Sequence, residues 1–155
     1  MKTVTINNEL KITYPDGFVE KTEKEKSGMN FYGSIPDLCI NDPEKHITVS
    51  IAYKKYGALA AALSNRKGVV KSMSKKTAAL MKEFNFRPNG FITQKAGAFT
   101  ADGYGYSYDA QGINMLGRSF VVKSGRTFYY IHCYYRKELE EESLKIIDGI
   151  LSGNA

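Results

Sequence analysis

The feature that most constrains this chain is a change of hydrophobic period near residue 55. Before it, apolar residues alternate: Ile47, Val49 and Ile51 share one face of an extended run over 46–53. After it, the spacing becomes helical. A short helix is expected over 58–63 and a long one over 69–84. At roughly 100° per residue, Val69, Val70, Met73, Thr77, Leu80, Met81 and Phe84 form one stripe about 120° wide. Arg87-Pro88-Asn89-Gly90 supplies the stop, because proline lacks the N–H that a helix needs.

The period then returns to two. Extended runs are expected over 91–99, 103–110, 115–123 and 126–135. Ser124-Gly125 reads as a two-residue hairpin turn that sets Val122 against Thr127 and Phe120 against Tyr129. One face then carries Phe120, Tyr129, Ile131 and Cys133, and the other Val121, Phe128, Tyr130 and His132. Both faces are apolar, so both need cover. A closing helix over 139–151 offers Leu139, Leu144, Ile146, Ile147, Ile150 and Leu151 on one side. Acidic residues load its first turns and Gly153 lies at its end.

Towards the N-terminus, 4–6 and 10–14 read as short strands, Pro15-Asp16-Gly17 as a turn, and 29–35 as a strand. The charged stretch 20–26 and the proline-bounded stretch 36–43 read as loops. Strands, helix, four strands and helix make an α+β fold: a largely antiparallel sheet with helices packed on both faces, forming one domain over 1–155.

At 155 residues, 43% hydrophobic and 25% charged, the chain can bury a full core without metal or disulfide staples. No apolar run approaches the roughly 18 residues of a membrane span. The opening residues lack the h-region of a signal peptide, so the expectation is a cytoplasmic chain, with an exported mature fragment as the alternative. Cys39 and Cys133 are expected to be free thiols, Cys39 accessible in its loop and Cys133 buried in its strand.

Four segments together resemble the Mog/PsbP-like superfamily, which holds the Ran-binding Mog proteins, the extrinsic P protein of photosystem II and DcrB-like bacterial relatives. They are Ile12-Thr13-Tyr14-Pro15-Asp16-Gly17-Phe18, with Phe18 where Trp is commoner; the strand over 47–53 feeding a central helix; the hairpin over 119–130; and the closing Ile146-Ile147-Asp148-Gly149-Ile150-Leu151-Ser152. The resemblance spans nearly the whole chain and implies an α/β/α sandwich. It implies a fold more than a function.

No motif in the chain carries catalysis, and none implies a cofactor or metal. His46 and His132 are the only histidines, too few for a metal site of three protein ligands. His132 and Cys133 are adjacent on a strand and point to opposite faces. Cys39 has no local base to activate it. Gly103-Tyr104-Gly105-Tyr106 contains G-x-G, but in strand context and without a third glycine opening a helix.

Charge is distributed unevenly. Between Lys54 and Arg87 stand nine basic residues against Glu83 alone, while the whole chain is only +6. Lys67, Lys71, Lys75 and Lys82 fall on one arc away from the apolar stripe. Such an arc is a solvated face, a docking surface for an acidic protein, or a contact for nucleic acid or an anionic membrane. The expectation is a non-enzymatic binding domain for a protein partner, in an adaptor or chaperone-like role, with the four lysines as candidates. A binder of small molecules or hydrophobic peptides is the alternative. Nucleic-acid binding through 54–87 ranks lower. Partner identity and oligomeric state stay open.

Overall fold

The computed structural model describes residues 1–29 and 34–153. Strands β1 (Lys2–Ile6) and β2 (Leu10–Tyr14) form an antiparallel hairpin of their own. The main sheet contains β3 (Val19–Glu20), β4 (Leu38–Asp42), β5 (Ile47–Lys55), β6 (Arg87–Ala96), β7 (Phe99–Ala110), β8 (Ile113–Ser124) and β9 (Thr127–Arg136). Their spatial order is β3-β4-β5-β9-β8-β7-β6, antiparallel at every step. The helices are α1 (Glu23–Ser27), α2 (Ala58–Leu63), α3 (Arg66–Leu80) and α4 (Glu140–Ser152).

Strand alternation sends successive side chains to opposite faces, so one sheet serves two cores. On one face Ile40, Val49, Phe120, Ile131 and Cys133 meet Leu10 and Ile12 of the β1–β2 hairpin and Ile147, Ile150 and Leu151 of α4. Full burial of each such aliphatic side chain contributes roughly 1.5–3 kcal/mol. On the other face Tyr104, Tyr106, Val121 and Phe128 meet Val70 and Met73 of α3. The helices therefore cover both faces, as the alternation requires.

Local chemistry sets the helix ends. Asn65 caps α3 by accepting from the Gly68 N–H at 2.8 Å. Three glutamates load the first turn of α4, and Gly153 ends it in the left-handed region at φ 79°. The 3-10 turn Lys137–Leu139 leads into that helix.

Several sequence expectations need correction. The stretch 20–26 is not a loop: it ends β3 and forms α1, where Thr22 and Glu25 make a reciprocal capping box. The stretch 36–43 holds β4, because the short run Leu38-Cys39-Ile40 is buried on both faces between β3 and β5. Cys39 is therefore buried, not accessible.

The long helix starts at Arg66 and stops at Leu80. A 3-10 turn follows over Lys82–Phe84, and Asn85 adopts φ 54°. Leu80 and Phe84 are consequently exposed, not core. Arg87 to Gly90 do not end the helix but open β6, with a pairing irregularity between Pro88 and Gly90. In the last hairpin Ser124 faces Thr127, Val122 faces Tyr129 and Phe120 faces Ile131. That register differs by two residues from the expected one, which leaves every side chain on its expected face. The strand expected over 29–35 falls mainly on residues 30–33, outside the described residues.

Candidate functional site

Helix α3 sits over β7 and β8, leaving a depression along each of its flanks. The expected lysines belong to one flank. Lys67, Lys71 and Lys75 lie on successive turns of α3 and are exposed. Lys82 is exposed too, but it lies beyond the helix end, so the structure groups three of the four on one helix. Among the described residues none of the four makes an ion pair. Arg66, one residue before this row, is committed elsewhere: its Nε donates to Asp102 Oδ2 on β7 at 2.8 Å.

Lys75 also borders a shallow groove of about 250 Å³, walled by Ala78 of α3, Phe86, and Pro88 and Phe91 of β6, with Tyr104 of β7 below. Strand β6 is the last of the sheet, and α3 does not reach across it. Phe91, opposite Tyr104 in the pairing, is therefore 70% exposed. Sequence reasoning missed this neighbour of the lysines. Its signal was Pro88 and Gly90 inside an extended run, the usual mark of an edge strand.

The opposite flank holds the larger cleft, about 400 Å³, between α3, the strands β5 and β9, and the segment at Ser34 and Pro36. Its apolar floor includes Ala52, Met73 and Phe128. Tyr56 and Tyr130 bring their hydroxyls within 2.7 Å of each other in its wall. Burial, then the bond to Tyr56, raises the Tyr130 phenol well above its ordinary range. Lys54 and Lys76 supply positive charge, and among the described residues no carboxylate lines the cleft.

His132 also borders this cleft. Burial lowers its pKa to about 4, so it is neutral near pH 7, and its Nδ1 lies 2.8 Å from Ser119 Oγ. His46 is exposed in a turn at φ 56°, far along the chain direction of β5 from that ring. Cys39 lies on β4, aligned through Ser50 of β5 with His132 of β9 two strands away, and burial raises its thiol pKa, which disfavours the thiolate. Among the described residues no three His, Cys, Asp or Glu side chains are placed to hold a metal ion. No helix among them is long and apolar enough to cross a membrane.

The architecture can be set beside solved structures. Cyanobacterial PsbP from Synechocystis sp. PCC 6803 superposes with a TM-score of 0.65 over 98% of this chain and 89% of its own, at 10% identity. The fold is PsbP-like. LpqN, involved in cell envelope biogenesis of Mycobacterium tuberculosis, matches with a TM-score of 0.61 at 15% identity, covering 92% of this chain and 80% of its own. No family model matches the sequence, and no curated protein matches it significantly. At these identities the likeness concerns the fold. The opening segment that suggested it has a structural role within the PsbP-like core: Ile12, Tyr14 and Phe18 are buried together, and the Tyr14 and Phe18 rings meet edge-on at 6.3 Å.

Proposed function

We propose that this PsbP-like chain is a non-catalytic protein-interaction domain that receives an acidic, extended segment along α3 and the edge of β6. One observation carries the reading: Lys67, Lys71 and Lys75 form a row on α3 without ion-pair partners among the described residues, and Lys75 borders the groove beside the edge strand β6, whose Phe91 is 70% exposed. An edge strand offers unpaired backbone N–H and C=O groups, and an added strand satisfies them. Side chains of such a strand alternate between faces, so every second one would lie on the α3 side. Acidic residues there would meet the ammoniums, and apolar ones would meet Phe91 and the groove.

Electrostatics favours the same occupant. Like charges four apart on a helix repel by a few tenths of a kcal/mol per pair. An acidic partner removes that repulsion and gains attraction. The PsbP-like neighbours fit a non-catalytic role. The Pro88–Gly90 irregularity interrupts the start of β6 and disfavours edge pairing there, which leaves the stretch after Gly90 as the docking edge.

The test is an NMR titration with a synthetic peptide of repeating Thr-Glu-Thr-Val, one face of which carries acidic and apolar side chains in turn. Amides of β6 should shift, with affinity that weakens as salt rises and falls about tenfold or more in Lys71→Glu/Lys75→Glu. Equal affinity in that variant, or β6 amides unmoved at millimolar peptide, contradicts the reading. Tighter, salt-sensitive binding of single-stranded RNA to the same lysines would replace it with a nucleic-acid role.

A further inference from the structure

From the larger cleft we infer a second, separate binding site, for a small organic anion with an apolar body, typified by a medium-chain carboxylate. It does not rest on the partner proposed for the other flank of α3.

At about 400 Å³ the cleft lies within the roughly 300–1,000 Å³ of small-molecule sites. Its floor, with Met73 and Phe128 buried, suits an apolar body. Among the described residues its charged lining is of one sign, Lys54 and Lys76, and neither of them is ion-paired. Cations beside low-dielectric walls attract an anion more strongly than they would in bulk water.

The tyrosine pair adds direction. With Tyr56 and Tyr130 hydroxyls 2.7 Å apart, whichever one donates, the other keeps a proton to give away. A carboxylate oxygen is an acceptor with no proton of its own and matches that donor. The Tyr56 side chain is held in advance. Its backbone exchanges hydrogen bonds with Arg126, its N–H reaching the Arg126 carbonyl at 2.9 Å and its carbonyl taking Arg126 Nε at 2.8 Å. Its ring meets Phe128 edge-on at 5.4 Å and carries the Lys54 ammonium 5.3 Å above its centroid. A ring clamped on three sides presents its hydroxyl with little ordering left to lose on binding.

Calorimetric titration with octanoate and with octanol tests the site. Octanoate should bind and octanol should bind at least about tenfold more weakly, since it lacks the charge that the lysines recognise. Tyr56→Phe should weaken octanoate several-fold and leave octanol unchanged. Lys54→Gln/Lys76→Gln, at exposed positions that do not disturb the core, should reduce the octanoate preference by about tenfold. Octanol binding as tightly as octanoate, an unchanged preference in the double variant, or no heat from octanoate with the wild type each overturns the inference.

Discussion

Ser119 Oγ and His132 Nδ1 lie 2.8 Å apart on directly paired residues of β8 and β9, both buried. The Ser119 hydroxyl is a polar neighbour of the buried imidazole that carries no charge. Burial accordingly lowers the His132 pKa from 6.5 to about 4.

A pH dependence follows. The unfolded chain binds the proton near pH 6.5 and the folded chain resists it until about 4. Stability should therefore be complete above pH 6.5 and fall as pH drops towards 4, by up to about 3 kcal/mol from this residue. Urea unfolding between pH 7 and 5, mostly above the carboxylate range, measures the slope. In His132→Gln the slope over that window should largely vanish, whatever the variant's absolute stability. A persisting slope would assign the titration elsewhere.

The glycines of β7 and β8 make a second prediction. Gly103 faces Phe120 and Gly117 faces Tyr106 across the strand pair. A Cβ on Gly103 would lie 2.3 Å from the Ser119 carbonyl oxygen, and one on Gly117 would lie 2.4 Å from the Tyr106 ring. Gly103→Ala, blocked by backbone, should cost about 1–3 kcal/mol in chemical denaturation. Gly112→Ala, with open space around it but φ 78°, should cost only backbone strain of about 1 kcal/mol. Equal small losses would show that close strand approach is not what Gly103 serves.

Both cysteines should be silent to thiol reagents in the native protein. Cys39 and Cys133 are fully buried, and burial raises both thiols, Cys133 to about 12. They also cannot bridge. Cys39 aligns with Ser50 and Cys133 with Val49, so they lie two strands apart on opposite faces of the sheet. Two thiols per chain should react in denaturant without prior reduction. Fast native labelling of Cys39 would show that β4 opens locally.

What could be read from the sequence divides by the length of the signal. Ile47, Val49 and Ile51 alternate over a nine-residue strand, and Ile147, Ile150 and Leu151 repeat on a helix, so both were plain. Leu38-Cys39-Ile40 is too short a run to show any period, and its strand character comes from pairing with β5. Thr22 and Glu25 did spell a capping box, but the five-residue helix it starts lies in a stretch of alternating charge that reads as solvated. Helix periodicity carried Leu80 and Phe84 into the apolar stripe because nothing local shows that the chain turns at Asn85. The lysine row could be read residue by residue. Its apolar neighbour Phe91 could not, because exposure there depends on which strand ends the sheet. The Tyr56 and Tyr130 hydroxyl pair joins residues 74 apart in the chain, a contact that only the fold creates.

On the proposed reading, the lysine flank of α3 recognises a partner and is not merely a solvated surface. Lys71→Glu/Lys75→Glu should fold as well as the wild type or slightly better, because the 67–71 repulsion becomes an attraction while the 71–75 pair stays like-charged. The decisive measurement is quantitative affinity purification from the source cell, comparing wild type and this double variant at low and raised salt. One or more acidic proteins should be enriched by the wild type, lost at raised salt, and lost in the double variant at either salt. Partners retained equally by a well-folded double variant would contradict that reading.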